Sequence, residues 1–157
     1  MNFKELKQLY LEDNKISDIK VFENVKFDKL EILNLGSNNI SDINILANVN
    51  FKELKKLYLF NNKISDIKVV VNVKFDKLEK LHLGLNKISD ISIFENVNFK
   101  KLKELILYCN EISDINLLRN LKFDKLEYLD LSYNPLVNHN YDIIIQNLKV
   151  DIVVLKK

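Results

Sequence analysis

The sequence predicts an α/β solenoid, in which short repeated units stack on one another along a single axis. Two observations lead to this fold class. Residues of the same type recur every 24 positions along nearly the whole chain. Within each unit, apolar residues first alternate with a period of two, which is typical of a strand. They then follow a spacing of three, which suits a 3₁₀ turn or a single helical turn.

The composition indicates one domain and excludes several classes of partner. The chain has 157 residues, of which 47% are hydrophobic and 29% are charged, so we expect a single domain spanning residues 1–157. Its 24 basic and 22 acidic residues leave a net charge of +2, which argues against nucleic acid or an anionic membrane as the partner. The one cysteine, Cys109, excludes an intramolecular disulfide and a multi-thiolate zinc site.

No targeting or membrane-spanning segment is recognisable. The N-terminal residues lack the apolar stretch of a secretory signal, and no apolar run approaches the ~20 residues of a membrane span. We therefore expect a cytoplasmic protein without a membrane partner.

Five columns of identical residues define the repeated units. The first column marks the start of each unit at Phe3, Phe27, Phe51, Phe75, Phe99 and Phe123. Three leucine columns share the same step, represented in the third unit by Leu54, Leu57 and Leu59. The fifth column is Asn14, Asn38, Asn62, Asn86, Asn110 and Asn134. A period of this length indicates units that bury their apolar faces only by stacking.

The third unit contains the pattern Leu54-x-x-Leu57-x-Leu59-x-x-Asn62-x-Ile64-x-x-Ile67. This pattern resembles the signature of leucine-rich repeat proteins, L-x-x-L-x-L-x-x-N-x-L, and the resemblance covers essentially the whole chain. The short unit and its Ile-Ser-Asp-Ile segment are similar to the subclass found in internalins and in a regulatory subunit of protein phosphatase-1. The resemblance implies a right-handed solenoid with a parallel β-sheet on its concave face and 3₁₀ or short helical turns on its convex face.

The residues of the strand half agree with this interpretation. Leu57 and Leu59 alternate with a period of two, so both side chains point into the core and the residues around them point outward. Asn62 lies where the strand must turn, and its amide can bond the backbone of the neighbouring turn. Stacked copies would form an asparagine ladder that satisfies backbone groups left unpaired by the turn.

The convex half of each unit has its own signals. Ser65 and Asp66 favour the start of a short helix, and Phe75 closes the third unit by adding to a phenylalanine spine. A second asparagine column lies at Asn24, Asn48, Asn72, Asn96 and Asn120. Because asparagine tolerates the left-handed conformation, we expect this column to end the convex turns.

Alternate units are more alike than consecutive ones, so the true period is 48 residues. One column alternates in charge along the chain at Lys7, Glu31, Lys55, Glu79, Lys103 and Glu127. On strands ~4.8 Å apart, this column would form a row of opposite charges that favours the stacking register.

The two ends of the chain differ. Residues 135–157 leave the repeat pattern and resemble a C-terminal cap, with a short helix over 142–148 and a last strand over 150–155. At the N-terminus, Phe3 enters the first unit directly. The chain is therefore part of a longer array, a naturally uncapped protein, or a protein that self-associates through its open edge.

The outward columns of the concave sheet carry the candidate binding residues, because the family binds its ligands on this face. Five of the six tyrosines fall there, and grouped exposed tyrosines are typical of a protein-binding surface. We predict that a protein ligand contacts Tyr10, Tyr58, Phe60, His82, Leu85, Ile106, Tyr108, Tyr128 and Tyr133. Gly36 and Gly84 flank Phe60, which would leave its ring against bare backbone on both sides. The alternative is that these residues merely favour strands and cover one another.

The sequence contains no catalytic constellation, so we predict a protein–protein interaction module without enzymatic activity, metal or cofactor. His82 has no carboxylate placed beside it, and His139 belongs to the cap. The repeated Ser-Asp pairs are explained by capping rather than by a metal. One alternative is a non-catalytic regulatory subunit of an enzyme such as a protein phosphatase. Another is a spacer or oligomerisation segment of a longer repeat protein.

Overall fold

A computed structural model describes residues 3–97, 99–116, 118, 123–137 and 150–156. Seven short strands form one parallel sheet whose order follows the chain. The strands are β1 Gln8–Tyr10, β2 Ile32–Asn34, β3 Lys56–Tyr58, β4 Lys80–His82, β5 Glu104–Ile106, β6 Tyr128–Asp130 and β7 Ile152–Val154. Each strand pairs with the next at an offset of one unit, so that Leu57 lies between Leu33 and Leu81. The predicted α/β solenoid is confirmed.

Short 3₁₀ helices form the convex half. In the described chain they span Lys20–Asn24, Asn44–Asn48, Lys68–Val71 and Ser92–Glu95. The aspartate of each Ser-Asp pair precedes such a turn and caps its first amide. Asp66 Oδ1 accepts a hydrogen bond of 2.8 Å from the Lys68 N–H, and the equivalent aspartates of four other units do the same. Of the predicted Ser-Asp capping pair, the aspartate is the residue that accepts this hydrogen bond.

The core consists of aligned apolar columns. The inward leucines of β2 to β6 are at most 1% exposed. On the convex side, consecutive phenylalanines of the spine lie with ring centroids 5.8 to 6.4 Å apart. Phe22 and Phe94 add edge-on contacts to this spine at 5.5 and 6.0 Å. Stacking thus buries in each unit the apolar surface that a single unit would leave open.

A ladder of asparagine amides joins the corners of neighbouring units. The Asn62 amide donates to the carbonyls of Leu35, Leu59 and Phe60, at 2.9, 3.2 and 3.1 Å. Its Oδ1 accepts the Ile40 N–H at 2.9 Å. Asn38, Asn86, Asn110 and Asn134 repeat this arrangement. Asn14 is exposed and donates only within its own unit.

The second asparagine column does not adopt the predicted left-handed conformation. Asn24 and Asn48 lie inside 3₁₀ helices, and Asn72 and Asn96 have φ of −94° and −104°. The left-handed residues lie instead just before the ladder asparagines, at Asp13, Ser37, Asn61, Leu85, Cys109 and Tyr133. The chain reverses at the strand end, where the ladder forms, so the sharp corner falls there. Asn120 lies outside the described residues.

The predicted row of alternating charges forms in part. In the described residues, Glu31 and Lys55 make its one ion pair, at 2.7 Å. A parallel column, which the sequence reasoning missed, contributes Glu5–Lys29 at 2.7 Å and Glu53–Lys77 at 2.6 Å. All three pairs are largely solvated and are worth little individually.

The last strand of the predicted cap is present as β7, which pairs with β6 in the same parallel register. The predicted cap helix over 142–148, together with His139 and Tyr141, lies outside the described residues. Nowhere in the described ranges is there a helix of the length and hydrophobicity that crossing a bilayer requires.

We expect Leu83→Ala to lower the free energy of unfolding by about 2–5 kcal/mol, because Leu83 is 1% exposed and its truncation leaves a cavity between units. Urea denaturation followed by circular dichroism measures this loss. Val71→Ala, at a 44% exposed position of the convex face, is the matched control and should change stability little. Equal stability of the two variants would contradict the register.

Candidate functional site

The parallel register brings four rings together on the outward face of the sheet. Tyr58 and His82 occupy paired positions of β3 and β4, and their ring centroids lie 6.3 Å apart. His82 also contacts Phe60 at 4.9 Å and meets Tyr108 edge-on at 5.6 Å. We call Tyr58, Phe60, His82 and Tyr108 the aromatic patch. All four side chains are half-buried, so each keeps an exposed face.

Two glycines make room for two of these rings. A Cβ atom at Gly36 would lie 2.3 Å from Cε1 of Phe60, and one at Gly84 would lie 2.5 Å from Cε1 of Tyr108. Each ring therefore lies directly against the glycine backbone of the preceding unit. Gly36 and Gly84 do lie on either side of Phe60 in the register, since the Gly84 carbonyl accepts the Asn61 N–H at 2.9 Å. The expectation of bare backbone on both sides of the Phe60 ring is wrong, because Tyr108 covers Gly84. The pairing repeats every 48 residues, because glycine and an aromatic residue alternate in this column.

The same two-unit period governs the polar side chains between the rings. In the second unit, Asn34 Oδ1 accepts the Gly36 N–H at 3.0 Å. In the fourth, His82 Nδ1 faces the Gly84 N–H at 3.4 Å. In the sixth, Asp130 Oδ1 accepts the Ser132 N–H at 2.9 Å. Even-numbered units thus satisfy a strand-end amide with an acceptor side chain, while odd-numbered units present bulky residues.

His82 is held in its neutral form. Burial among the aromatic rings, assisted by the positive charge of Lys80, lowers its pKa from the ordinary value of 6.5 to about 4. Its Nδ1 faces a backbone donor, which requires a lone pair on that nitrogen. At neutral pH the centre of the aromatic patch is therefore uncharged.

The predicted binding residues outside the aromatic patch differ in how exposed they are. Ile106 lies in an outward position beside His82 but is only 8% exposed, so its prediction as a contact residue is corrected: its neighbours cover it. Tyr10 and Tyr133 are 54% and 55% exposed. Among the described residues, neither ring touches the aromatic patch. Tyr128 is half-buried, and its hydroxyl lies 3.4 Å from Asp130 Oδ2.

Leu85 differs from the rest of the predicted set because its backbone is left-handed, with φ of 56°. This conformation costs a non-glycine residue roughly 1–3 kcal/mol. The side chain is nevertheless apolar and 40% exposed beside the aromatic patch. At the equivalent corners of the first three units lie Asp13 and Asn61, which are residue types that favour left-handed φ, and the small, turn-forming Ser37. The residue types at these positions could have predicted the left-handed corners from the sequence.

Three further side chains belong to this surface and were not predicted. Lys80 forms an ion pair with Glu104, and its Nζ lies 5.9 Å from the centre of the Tyr58 ring. This distance permits a cation–π interaction. Asp130 is the third, and its carboxylate lies at the end of β6. Within the described ranges, no three metal-ligating side chains lie close enough to hold a metal ion.

Family profiles match most of the chain. The profile described as Leucine Rich repeats (2 copies) matches residues 4–48 and 52–96, and the profile described as Leucine Rich Repeat matches residues 125–148. The chain belongs to the leucine-rich repeat family. A comparison with curated protein sequences finds no match.

Solved structures with the same fold include bacterial and plant leucine-rich repeat proteins. An internalin, inlF, of Listeria monocytogenes strain 4b F2365 is 32% identical, with a TM-score of 0.73 over 98% of this chain and 44% of the internalin. Internalin C2 of the same strain is 24% identical, with a TM-score of 0.66 over 98% of this chain and 72% of its own. The ectodomain of the Arabidopsis thaliana receptor kinase GASSHO1/SCHENGEN3 is 25% identical, with a TM-score of 0.69 over 97% and 18%.

The predicted similarity to internalins is confirmed. This leucine-rich repeat protein nevertheless spans less than half the length of the internalin inlF. The likeness therefore concerns the repeat region, and the activity of the longer protein does not follow from it.

We expect the folded protein to lose stability as the pH falls from 6.5 to about 4, in part because of His82. The unfolded chain binds a proton at this residue near pH 6.5, whereas the folded chain keeps it neutral down to about pH 4. Protonation therefore favours the unfolded state throughout this window. Urea denaturation at several pH values measures the loss.

The matched variant for this measurement is His82→Asn. Asn34 occupies the equivalent position two units earlier and accepts the same backbone hydrogen bond. The variant should fold, and its stability should fall less than that of the native protein between pH 6.5 and 4. Parallel pH profiles of the two proteins would show that His82 titrates normally.

We expect Cys109→Asn to raise the free energy of unfolding by about 1 kcal/mol, because asparagine tolerates the left-handed corner better than cysteine does. The reciprocal change, Asn61→Cys, places cysteine at the equivalent corner and should be destabilising. Chemical denaturation of both variants under reducing conditions gives the two differences. Changes of the same sign would contradict this explanation.

Proposed function

We propose that this chain is a protein–protein interaction module that binds its partner on the concave sheet, through the aromatic patch and Leu85. The observation that carries the proposal is an apolar surface held in place at an energetic cost. Leu85 is exposed although its backbone is strained. The repeat imposes the left-handed conformation at six equivalent corners, and leucine is a residue type that this conformation disfavours.

The chemistry of the aromatic patch supports the same proposal. Tyrosine and histidine rings offer large contact areas and polar tips, which is the composition of interface hot spots. Because the rings lie against one another and over the glycine backbone, they are already ordered before a partner arrives. Preordered side chains lose less conformational entropy on binding, which favours affinity.

The structural neighbours support a protein or peptide ligand. The leucine-rich repeat ectodomain of GASSHO1/SCHENGEN3 was crystallised in complex with CASPARIAN STRIP INTEGRITY FACTOR 2. Proteins built like this one are typically non-catalytic, and a binding role without chemistry of its own is part of the proposal. A regulatory subunit of an enzyme would use the same surface. A passive spacer would have no use for an exposed, strained apolar residue.

A selection from a display library of random 12-residue peptides tests the proposal. We expect the native protein to enrich peptides that the triple variant Tyr58→Ser, Phe60→Ser, Tyr108→Ser binds at least about a hundredfold more weakly, since hot-spot truncations each cost about 2 kcal/mol or more. Calorimetric titration of a synthesised peptide gives the dissociation constants.

The control variant carries the same kind of change on the convex side, at Val21→Ser and Val71→Ser. These two valines are 63% and 44% exposed, and the change should leave peptide binding unaltered. Circular dichroism first establishes that each variant is folded, and single Phe60→Ser replaces the triple variant if the latter is not. Peptides that bind native and triple variant equally well would refute the concave patch.

A further inference from the structure

Asp130 is placed for a role that the fold alone does not require. It lies at the end of β6 on the outward face, two strands beyond His82. Its Oδ1 accepts hydrogen bonds from the Ser132 N–H at 2.9 Å and from the Ser132 hydroxyl at 2.6 Å. Among the described residues, its other oxygen, Oδ2, has one long contact, of 3.4 Å, from the Tyr128 hydroxyl. Half of the carboxylate therefore remains available to a ligand.

The negative charge of Asp130 is not compensated by the described chain. None of the ion pairs among the described residues includes it. Lys80, which lies next to the aromatic patch, is already paired with Glu104, and His82 is neutral. Lys156, whose carbonyl accepts the Tyr133 N–H beside the end of β6, makes no ion pair with Asp130. Burial is the main cause that raises the pKa of Tyr108 and of Tyr128, and the negative charge of Asp130 raises both further.

Negative charge also predominates beside this residue. A groove of about 460 Å³ lies against β5 to β7. Tyr128 lines this groove and also contacts Asp130. Its charged lining is Lys80, Glu104, Glu127 and Asp151. Because Lys80 and Glu104 neutralise each other, two carboxylates remain. The described lining of this groove therefore has an excess of negative charge, from Glu127 and Asp151.

We propose that the partner is a basic peptide segment, whose arginine or lysine side chain binds the Asp130 carboxylate while an apolar side chain rests on the aromatic patch. The proposal rests on the proposed function, since it adds the chemistry and direction of the ligand to that surface. A guanidinium or ammonium group would bind Oδ2 beside the Tyr128 hydroxyl, and a hydrogen bond between two charged groups is stronger than one between neutral groups.

The strand spacing sets the distance between the two anchors. Phe60 follows β3 and Asp130 ends β6, so three strand spacings of ~4.8 Å separate them by roughly 14 Å. An extended segment lying across the strands advances ~3.3 Å per residue and presents alternate side chains to the same surface. The basic residue should therefore lie about four positions from the apolar one in the bound segment.

The test uses peptides selected on the native protein whose binding depends on Phe60. We expect these peptides to contain an arginine or lysine near the predicted spacing, and Asp130→Asn to weaken their binding about tenfold. Replacing the basic residue of the peptide by citrulline or norleucine should abolish the difference between native protein and variant. Added salt should weaken binding to the native protein more than binding to the variant.

The chain supplies both controls for this variant. Asn34 occupies the equivalent position four units earlier and accepts the same strand-end hydrogen bond, so Asp130→Asn should keep the fold. Asp124→Asn makes the same charge change at an exposed position in the turn before β6 and should leave affinity unchanged.

Two outcomes would overturn the inference, and they are distinguishable. Phe60-dependent peptides that bind Asp130→Asn as tightly as the native protein, or that carry no basic residue, refute the basic segment and leave the proposed function intact. A selection that yields no Phe60-dependent peptide refutes the proposed function, and the basic segment with it.

Discussion

The asparagine ladder is the interaction on which the rest of the structure depends. Each unit ends its strand in a sharp corner, and such a corner leaves carbonyls and an amide that no strand partner can reach. One buried asparagine satisfies three carbonyls and one amide across two units. Asn62 does so for the carbonyls of Leu35, Leu59 and Phe60 and for the Ile40 N–H. Because every amide needs the neighbouring corner in one position, the ladder permits only one register between units.

That fixed register turns the sequence of each column into a surface. Residues 24 positions apart become neighbours on adjacent strands, and a 48-residue period becomes an alternation of large and small side chains. Phe60 over Gly36 and Tyr108 over Gly84 follow from this geometry. The aromatic patch is therefore a product of two-unit spacing, in which each glycine removes the Cβ that a neighbouring ring would otherwise meet.

The fold and the faces of the residues could be predicted because they depend on periodicity, and periodicity is visible in one sequence. The exposure of single side chains and the positions of the left-handed corners depend on how neighbouring side chains pack, which periodicity does not give. Ile106 was predicted to be available, but its neighbours bury it. The preference of asparagine for left-handed φ predicted these corners in the second asparagine column. The chain turns sharply next to the ladder instead, so the left-handed residues lie there. Asp130 was not among the predicted binding residues, because the lack of an ion pair to its carboxylate among the described residues is visible only in the structure.

The concave face is uneven along the solenoid although its backbone is nearly uniform. The corners of the first three units carry Asp13 and Asn61, which tolerate left-handed φ, and the small Ser37, whereas the next three carry Leu85, Cys109 and Tyr133. The same later units contain the half-buried neutral histidine and the uncompensated aspartate. Folding places equal demands on all corners, so stability does not explain the difference. The ligand that we propose for this face would explain it, because binding can favour side chains that the fold alone disfavours.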